Sequence, residues 1–151
     1  MKHRLCAVLL LAVLLLAGCA KNGFGGLQDG YYSAEAAELD EYGWKEFVTI
    51  LVSDGKIITV EYNARNASGF MKSWDMAYMR AMRDPCGTYP NKYTREYANA
   101  LIQVQTPNEV DIIAGATHSH STFQHLARAA ILQAEAGDPE LALVHFPKTE
   151  S

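Results

Sequence analysis

Residues 47–52 read Phe-Val-Thr-Ile-Leu-Val, apolar at nearly every position of both parities, which predicts a strand inside a sheet. Ser53-Asp54-Gly55-Lys56 ends it with an Asp-Gly pair, the residues that supply positive φ in a tight hairpin. Residues 57–62 then return as the partner strand. Upstream, Asp29-Gly30 reads as a turn and 31–34 as a short strand. Residues 63–69 read as a loop. A helix is predicted from Ser73, a capping residue, to Arg83, with Trp74, Tyr78 and Met82 at helical spacing. Asp84-Pro85-Cys86-Gly87 breaks it. Residues 93–105 form a second helix that Thr106-Pro107-Asn108 ends. A short strand is expected at 110–113. A third helix, capped by Ser121 or Thr122, turns Phe123, Leu126, Ala130 and Ile131 inward and stops at Gly137-Asp138-Pro139. Past Glu140 no period is visible, and a loosely packed tail is expected. Strands first, then helices, predict an α+β fold: a small antiparallel sheet with packed helices.

The first residues carry a different signal. Lys2, His3 and Arg4 precede an apolar run of about 12 residues, short of the roughly 20 needed to span a bilayer. Leu16-Ala17-Gly18-Cys19 follows and resembles the box of bacterial lipoproteins, in which the cysteine is lipidated, commonly with palmitate. This divides the chain into a lipoprotein signal peptide (1–18), lipidated Cys19 with a flexible tether (19–28), one domain (29–137) and a C-terminal tail (138–151). Lipid on Cys19 implies an extracytoplasmic protein anchored to a bacterial membrane with no spanning helix. Losing Lys2 and Arg4 with the leader leaves 11 basic residues against 17 acidic ones and takes the formal charge from −4 to −6. That balance argues against nucleic acid as a partner. Of three cysteines, Cys6 leaves with the leader and Cys19 carries lipid, so Cys86 stands alone as a small, partly buried loop residue.

The chemistry-bearing stretch is Asp111-Ile112-Ile113-Ala114-Gly115-Ala116-Thr117. An apolar pair runs into Gly115 and Ala116, small enough to bend the backbone and present the Thr117 hydroxyl. Amides at the start of a following helix can hold a phosphate. By these residues alone a plain turn ending in a capping threonine fits equally well. Taken with Asp29-Gly30-Tyr31-Tyr32, Gly43-Trp44-Lys45, the Asp54-Gly55-Lys56-Ile57 hairpin and the block 63–75, the chain resembles the FMN-binding domain family over roughly 29–136. That family includes flavin subunits of the sodium-pumping NADH:quinone oxidoreductase and Rnf complexes and extracellular-electron-transfer lipoproteins. Its motif usually carries Ser or Thr where Ala114 stands. The resemblance implies FMN joined through its phosphate to Thr117 by a flavin transferase that uses FAD. Asp111 would serve that enzyme's recognition step. Electrons would pass to or from a redox partner: the quinone pool, a membrane flavoprotein or a cytochrome. No independent substrate turnover is expected.

Candidate cofactor-binding residues are therefore Thr117, Ala116, Gly115, Asp111 and Ser119, with Gly69, Lys72 and Ser73 from the upstream block. Gly69 would allow close approach, Lys72 would face a phosphate or the ring, and Trp74 or Tyr78 would stack. The plain reading of that block is a helix start with core aromatics. His118, His120 and His125 support an alternative, a metal-binding or sensing lipoprotein using His118 and His120. Against it, no cysteine or acid lies close by in sequence. A third reading is a lipid-anchored interaction module without redox work.

Overall fold

The computed structural model describes residues 26–147. The expected leader, Cys19, most of the tether and residues 148–151 lie outside the described residues.

One sheet has the strand order β3-β2-β1-β4. Strands β1 (Gly30–Ala36), β2 (Lys45–Ser53) and β3 (Lys56–Arg65) run antiparallel, with Tyr32 opposite Ile50 and Val48 opposite Tyr62. At the predicted hairpin Asp54 and Gly55 both take positive φ, 52° and 71°, as a two-residue Asp-Gly turn requires. Alternate residues of β2 (Glu46, Val48, Ile50 and Val52) are buried, and the others are half-exposed. The interior position of β2 was legible; its second face is only partly covered. There the Ser33 and Thr49 hydroxyls pair at 2.8 Å.

The sheet is mixed rather than purely antiparallel. A fourth strand, β4 (Ala142–Val144), lies parallel to β1 inside the stretch expected to be a tail. Pairing to the edge of β1 satisfies backbone groups, so three residues suffice without any apolar period.

A 3-10 turn (Lys72–Trp74) precedes helix α1 (Met76–Cys86). Asp75, not Ser73, caps α1 by accepting the Tyr78 amide at 2.9 Å, and Gly87 closes it in the left-handed conformation. Helix α2 (Pro90–Val104) begins three residues earlier than expected because Pro90 presets the first helical φ. Its Tyr93, Tyr97 and Leu101, at i, i+4 and i+8, are buried. Helix α3 (Thr117–Ala136) packs Phe123, Leu126, Ala127, Ala130 and Ala134 into the core. The small alanines let it approach β1 and β2 closely, and truncating Phe123 to Ala there would cost roughly 3–5 kcal/mol.

Two expectations before α3 are overturned. Residues 110–113 form no strand, and α3 starts at Thr117, not at 121–122. Side chains do the work of a strand partner. The Ile113 amide donates to the Tyr97 hydroxyl at 3.1 Å, and that hydroxyl donates to the Ala116 carbonyl at 3.1 Å. His120 Nε2 donates to the Val110 carbonyl at 2.7 Å.

Candidate functional site

The motif ends where α3 begins. Ala116 is the N-cap of this 20-residue helix and offers no side-chain oxygen to the amides of the first turn. A helix start leaves its first amides without intrahelical partners, and a Ser, Thr, Asp or Asn cap is worth about 1 kcal/mol. Here no side chain caps the positive end of a long helix. Thr117 is the first helical residue and is exposed. Gly115 has φ 80°, and a Cβ built on it would overlap the Cys86 carbonyl oxygen. Its small size therefore seats the end of α1 against the motif. Cys86, a free thiol of intermediate exposure, is the last residue of α1 and not a loop residue.

A cleft of about 260 Å³ opens beside this helix start. Gly115, Ala116, His118 and Ser119 form one wall, Tyr78 and Met82 of α1 another, and Lys72 and Tyr93 the back. The turn before β2 closes the last side through Asp40, Glu41 and Tyr42, so two acidic residues share the lining with Lys72. That turn is held by the Asp40 carboxylate, which accepts the amides of Tyr42 at 2.9 Å and Trp44 at 2.7 Å. Ligand pockets typically run about 300–1,000 Å³, so this one takes part of a ligand and leaves the rest in solvent.

Lys72 is 5 % exposed, unusual for a lysine. Its ammonium stands 4.9 Å from the centre of the Tyr78 ring and 5.7 Å from that of Trp44. Among the described residues Nζ makes neither a hydrogen bond nor an ion pair. Burial draws its pKa below the usual lysine value, against the opposing charges of Glu46 and Asp40. Lys72 is thus a cation held against ring faces on the cleft lining, with Asp40 and Glu41 on the same lining.

Of the residues nominated from sequence, the cleft gathers Gly115, Ala116, Ser119 and Lys72; Thr117 falls between the lining residues Ala116 and His118 in sequence and is itself exposed rather than part of the lining. Three do not join them. Asp111 is exposed ahead of the cleft. Gly69, at φ 84°, belongs to a turn organised by Asn66, whose side chain accepts the Ser68 and Phe70 amides, and it serves to return the chain towards Lys72. Ser73 faces elsewhere: its hydroxyl accepts from Asn63 at 2.9 Å beside a separate polar cleft of about 160 Å³. Trp74 is exposed, edge-on to Phe70, while Tyr78 lines the cleft.

Sequence reasoning passed over Glu46 and Tyr62. Glu46 occupies the buried parity of β2 ahead of Val48, Ile50 and Val52, and a charged residue in that register was the available signal. Burial pushes its carboxyl up to about 7, against the pull of Lys72. Tyr62 places its hydroxyl 2.7 Å from Glu46 and 2.9 Å from the Ser119 carbonyl, linking the sheet to the first turn of α3.

The histidines diverge. His118 lines the cleft, His120 is engaged with Val110, and His125 bonds the Ser121 carbonyl at 2.8 Å. Among the described residues no three His, Cys, Asp or Glu side chains converge as a metal site. Nor is any helix there long and apolar enough to cross a membrane.

The fold is that of a small α+β domain with a cleft at the start of its longest helix. No family model matches the chain. It belongs to the family of the 15 kDa lipoprotein of Treponema pallidum (strain Nichols), with 39% identity over 127 residues, 84% of this chain and 88% of that protein. A crystal structure of a Clostridium perfringens protein is 38% identical with a TM-score of 0.78, covering 80% of this chain and 99% of that one. A solution structure of a Clostridium thermocellum protein is 30% identical with a TM-score of 0.49, covering 72% and 93%.

Proposed function

We propose that the protein is a membrane-anchored extracytoplasmic flavoprotein, held by lipid on Cys19, that carries electrons through an FMN joined to Thr117 by a phosphoester bond. The observation that carries this reading is one cleft shared by a buried, unpaired Lys72 and an uncapped helix that begins at Thr117. Both features favour a negative group, and a phosphate on the Thr117 oxygen would lie at the free amides of the first turn. Membership of a lipoprotein family agrees with the Cys19 anchor.

The residues fit such a group. Thr117 supplies the anchoring hydroxyl, and its exposure leaves it open to a flavin transferase. Asp111, six residues upstream and also exposed, suits recognition by that enzyme better than contact with the finished cofactor. Lys72 offsets negative charge at the back of the cleft, where a low dielectric strengthens its effect. Tyr78, Met82 and Tyr93 supply partly apolar walls. Bound FMN supplies one- and two-electron chemistry that side chains alone do not. A quinone pool, a membrane flavoprotein or a cytochrome is the partner expected at a membrane surface.

Intact mass of the chain co-expressed with a flavin transferase tests this. The expected gain equals FMN less water in the wild type and vanishes in Thr117→Val. An unmodified wild type beside a modified control substrate would refute it.

A further inference from the structure

We infer that Glu46 is a proton store beneath the first turn of α3: negative charge arriving beside Lys72 is matched by a proton settling on the Glu46 carboxyl. The identity of the arriving charge, a flavin phosphate or a reduced flavin ring, rests on the proposed function. The coupling itself does not.

The geometry comes first. Glu46 is 6 % exposed at the start of β2, with its carboxyl under the first turn of α3. The Tyr62 hydroxyl has one proton and two acceptors in reach, Glu46 Oε2 at 2.7 Å and the Ser119 carbonyl at 2.9 Å. A protonated Glu46 satisfies all of them, because its own O–H donates to the Tyr62 oxygen while the phenol donates to Ser119. An ionised Glu46 draws the phenolic proton to itself and gives up the link to α3. Each protonation state thus has its own hydrogen-bond pattern at the helix that begins with Thr117.

The charges around Glu46 come from every packed element. Lys72, from the 3-10 turn, favours the carboxylate, and Asp40, from the turn before β2, disfavours it. Lys72 does not lie within ion-pair distance of Glu46. The other facing groups are hydroxyls: Tyr62 of β3, Tyr78 of α1, Tyr93 and Tyr97 of α2, and Thr122 of α3. The phenols are held protonated, chiefly by burial, which raises the pKa of each. Lys72 and the hydrogen bonds of Tyr62 and Thr122 act against burial on this carboxyl, and Lys72 is the cation among them. An anion that neutralises Lys72 weakens that counterweight, and the proton affinity of the carboxyl rises. Proton uptake keeps the net charge of the buried cluster nearly constant, which lowers the cost of bringing negative charge into the cleft.

The test follows the Glu46 carboxyl by NMR, on carbon-labelled full-length protein in detergent, assigned with Glu46→Gln. In unloaded protein, Lys72→Met is expected to raise the proton affinity of Glu46 about tenfold. Saturating inorganic phosphate is expected to raise it in the wild type and not in Lys72→Met. In flavin-loaded wild type, chemical reduction is expected to raise it again. A Glu46 titration unmoved by Lys72→Met, by phosphate and by reduction overturns the inference, and the flavin reading survives if Thr117 is loaded. A Glu46 titration that responds to Lys72→Met and phosphate in a chain that takes up no flavin supports the inference and refutes the flavin reading.

Discussion

Two glutamates on neighbouring strands are equally buried, each 6 % exposed, and are treated in opposite ways. Glu35 of β1 points to the open face of the sheet, where Arg65 of β3 grips it and Lys45 of β2 stands 3.4 Å away. Glu46 of β2 points to the helix-covered face, where it meets hydroxyls and a lysine beyond ion-pair reach. A buried carboxyl answered by two cations is a clamp across three strands. One answered by phenol and hydroxyl groups can exchange its proton near neutral pH. What separates structure from chemistry here is the partner set, since burial is the same.

The comparison can be broken most severely from the Glu46 side by Gly115→Ala. The new Cβ would overlap the Cys86 carbonyl at a positive φ, so a loss of roughly 3–4 kcal/mol is expected in urea unfolding, with the cleft disordered. Next comes Glu46→Gln, which keeps the acceptor for Tyr62. Glu46 binds its proton more tightly folded than unfolded, so the stability it contributes is complete below its ordinary value of 4.5 and lost as pH rises through about 7. Glu46→Gln is therefore expected to match the wild type at pH 4 and to exceed it by up to roughly 3 kcal/mol at pH 8. A variant less stable than the wild type at pH 8 would remove the contrast. Glu35→Gln should do the reverse. It leaves Arg65 and Lys45 facing each other, and since both are partly exposed the expected loss is about 1–2 kcal/mol, smaller in high salt. Tyr97→Phe removes the two hydrogen bonds that hold Ile113 and Ala116 and should cost about 1 kcal/mol, read by thermal unfolding.

The Glu35 side of the molecule was the easier to read. The Asp54-Gly55 hairpin and the interior place of β2 follow from local rules, and both hold. The fourth strand was hidden because residues 142–144 pair only with an edge brought near by the whole fold. The start of α3 was misplaced because Ser121 and Thr122 look like caps, while Ala116, the real one, carries no capping side chain. The supposed strand at 110–113 has the apolar residues of one, yet its polar groups go to Tyr97 and His120. Of the cleft lining, Gly115, Ala116, Ser119 and Lys72 were nominated from local sequence. Glu46 and Tyr62 lie 71 and 55 residues before Thr117, so only tertiary packing brings them to the helix start. The parity of Glu46 in β2 was the one visible trace.

The most direct test of the account is where flavin sits on the chain. Trypsin releases residues 96–128 as one peptide that holds Thr106, Thr117, Ser119, Ser121 and Thr122. Fragmentation of that peptide from protein co-expressed with a flavin transferase should place the FMN mass on Thr117. Flavin on a neighbouring hydroxyl, or an unmodified peptide, would contradict the account.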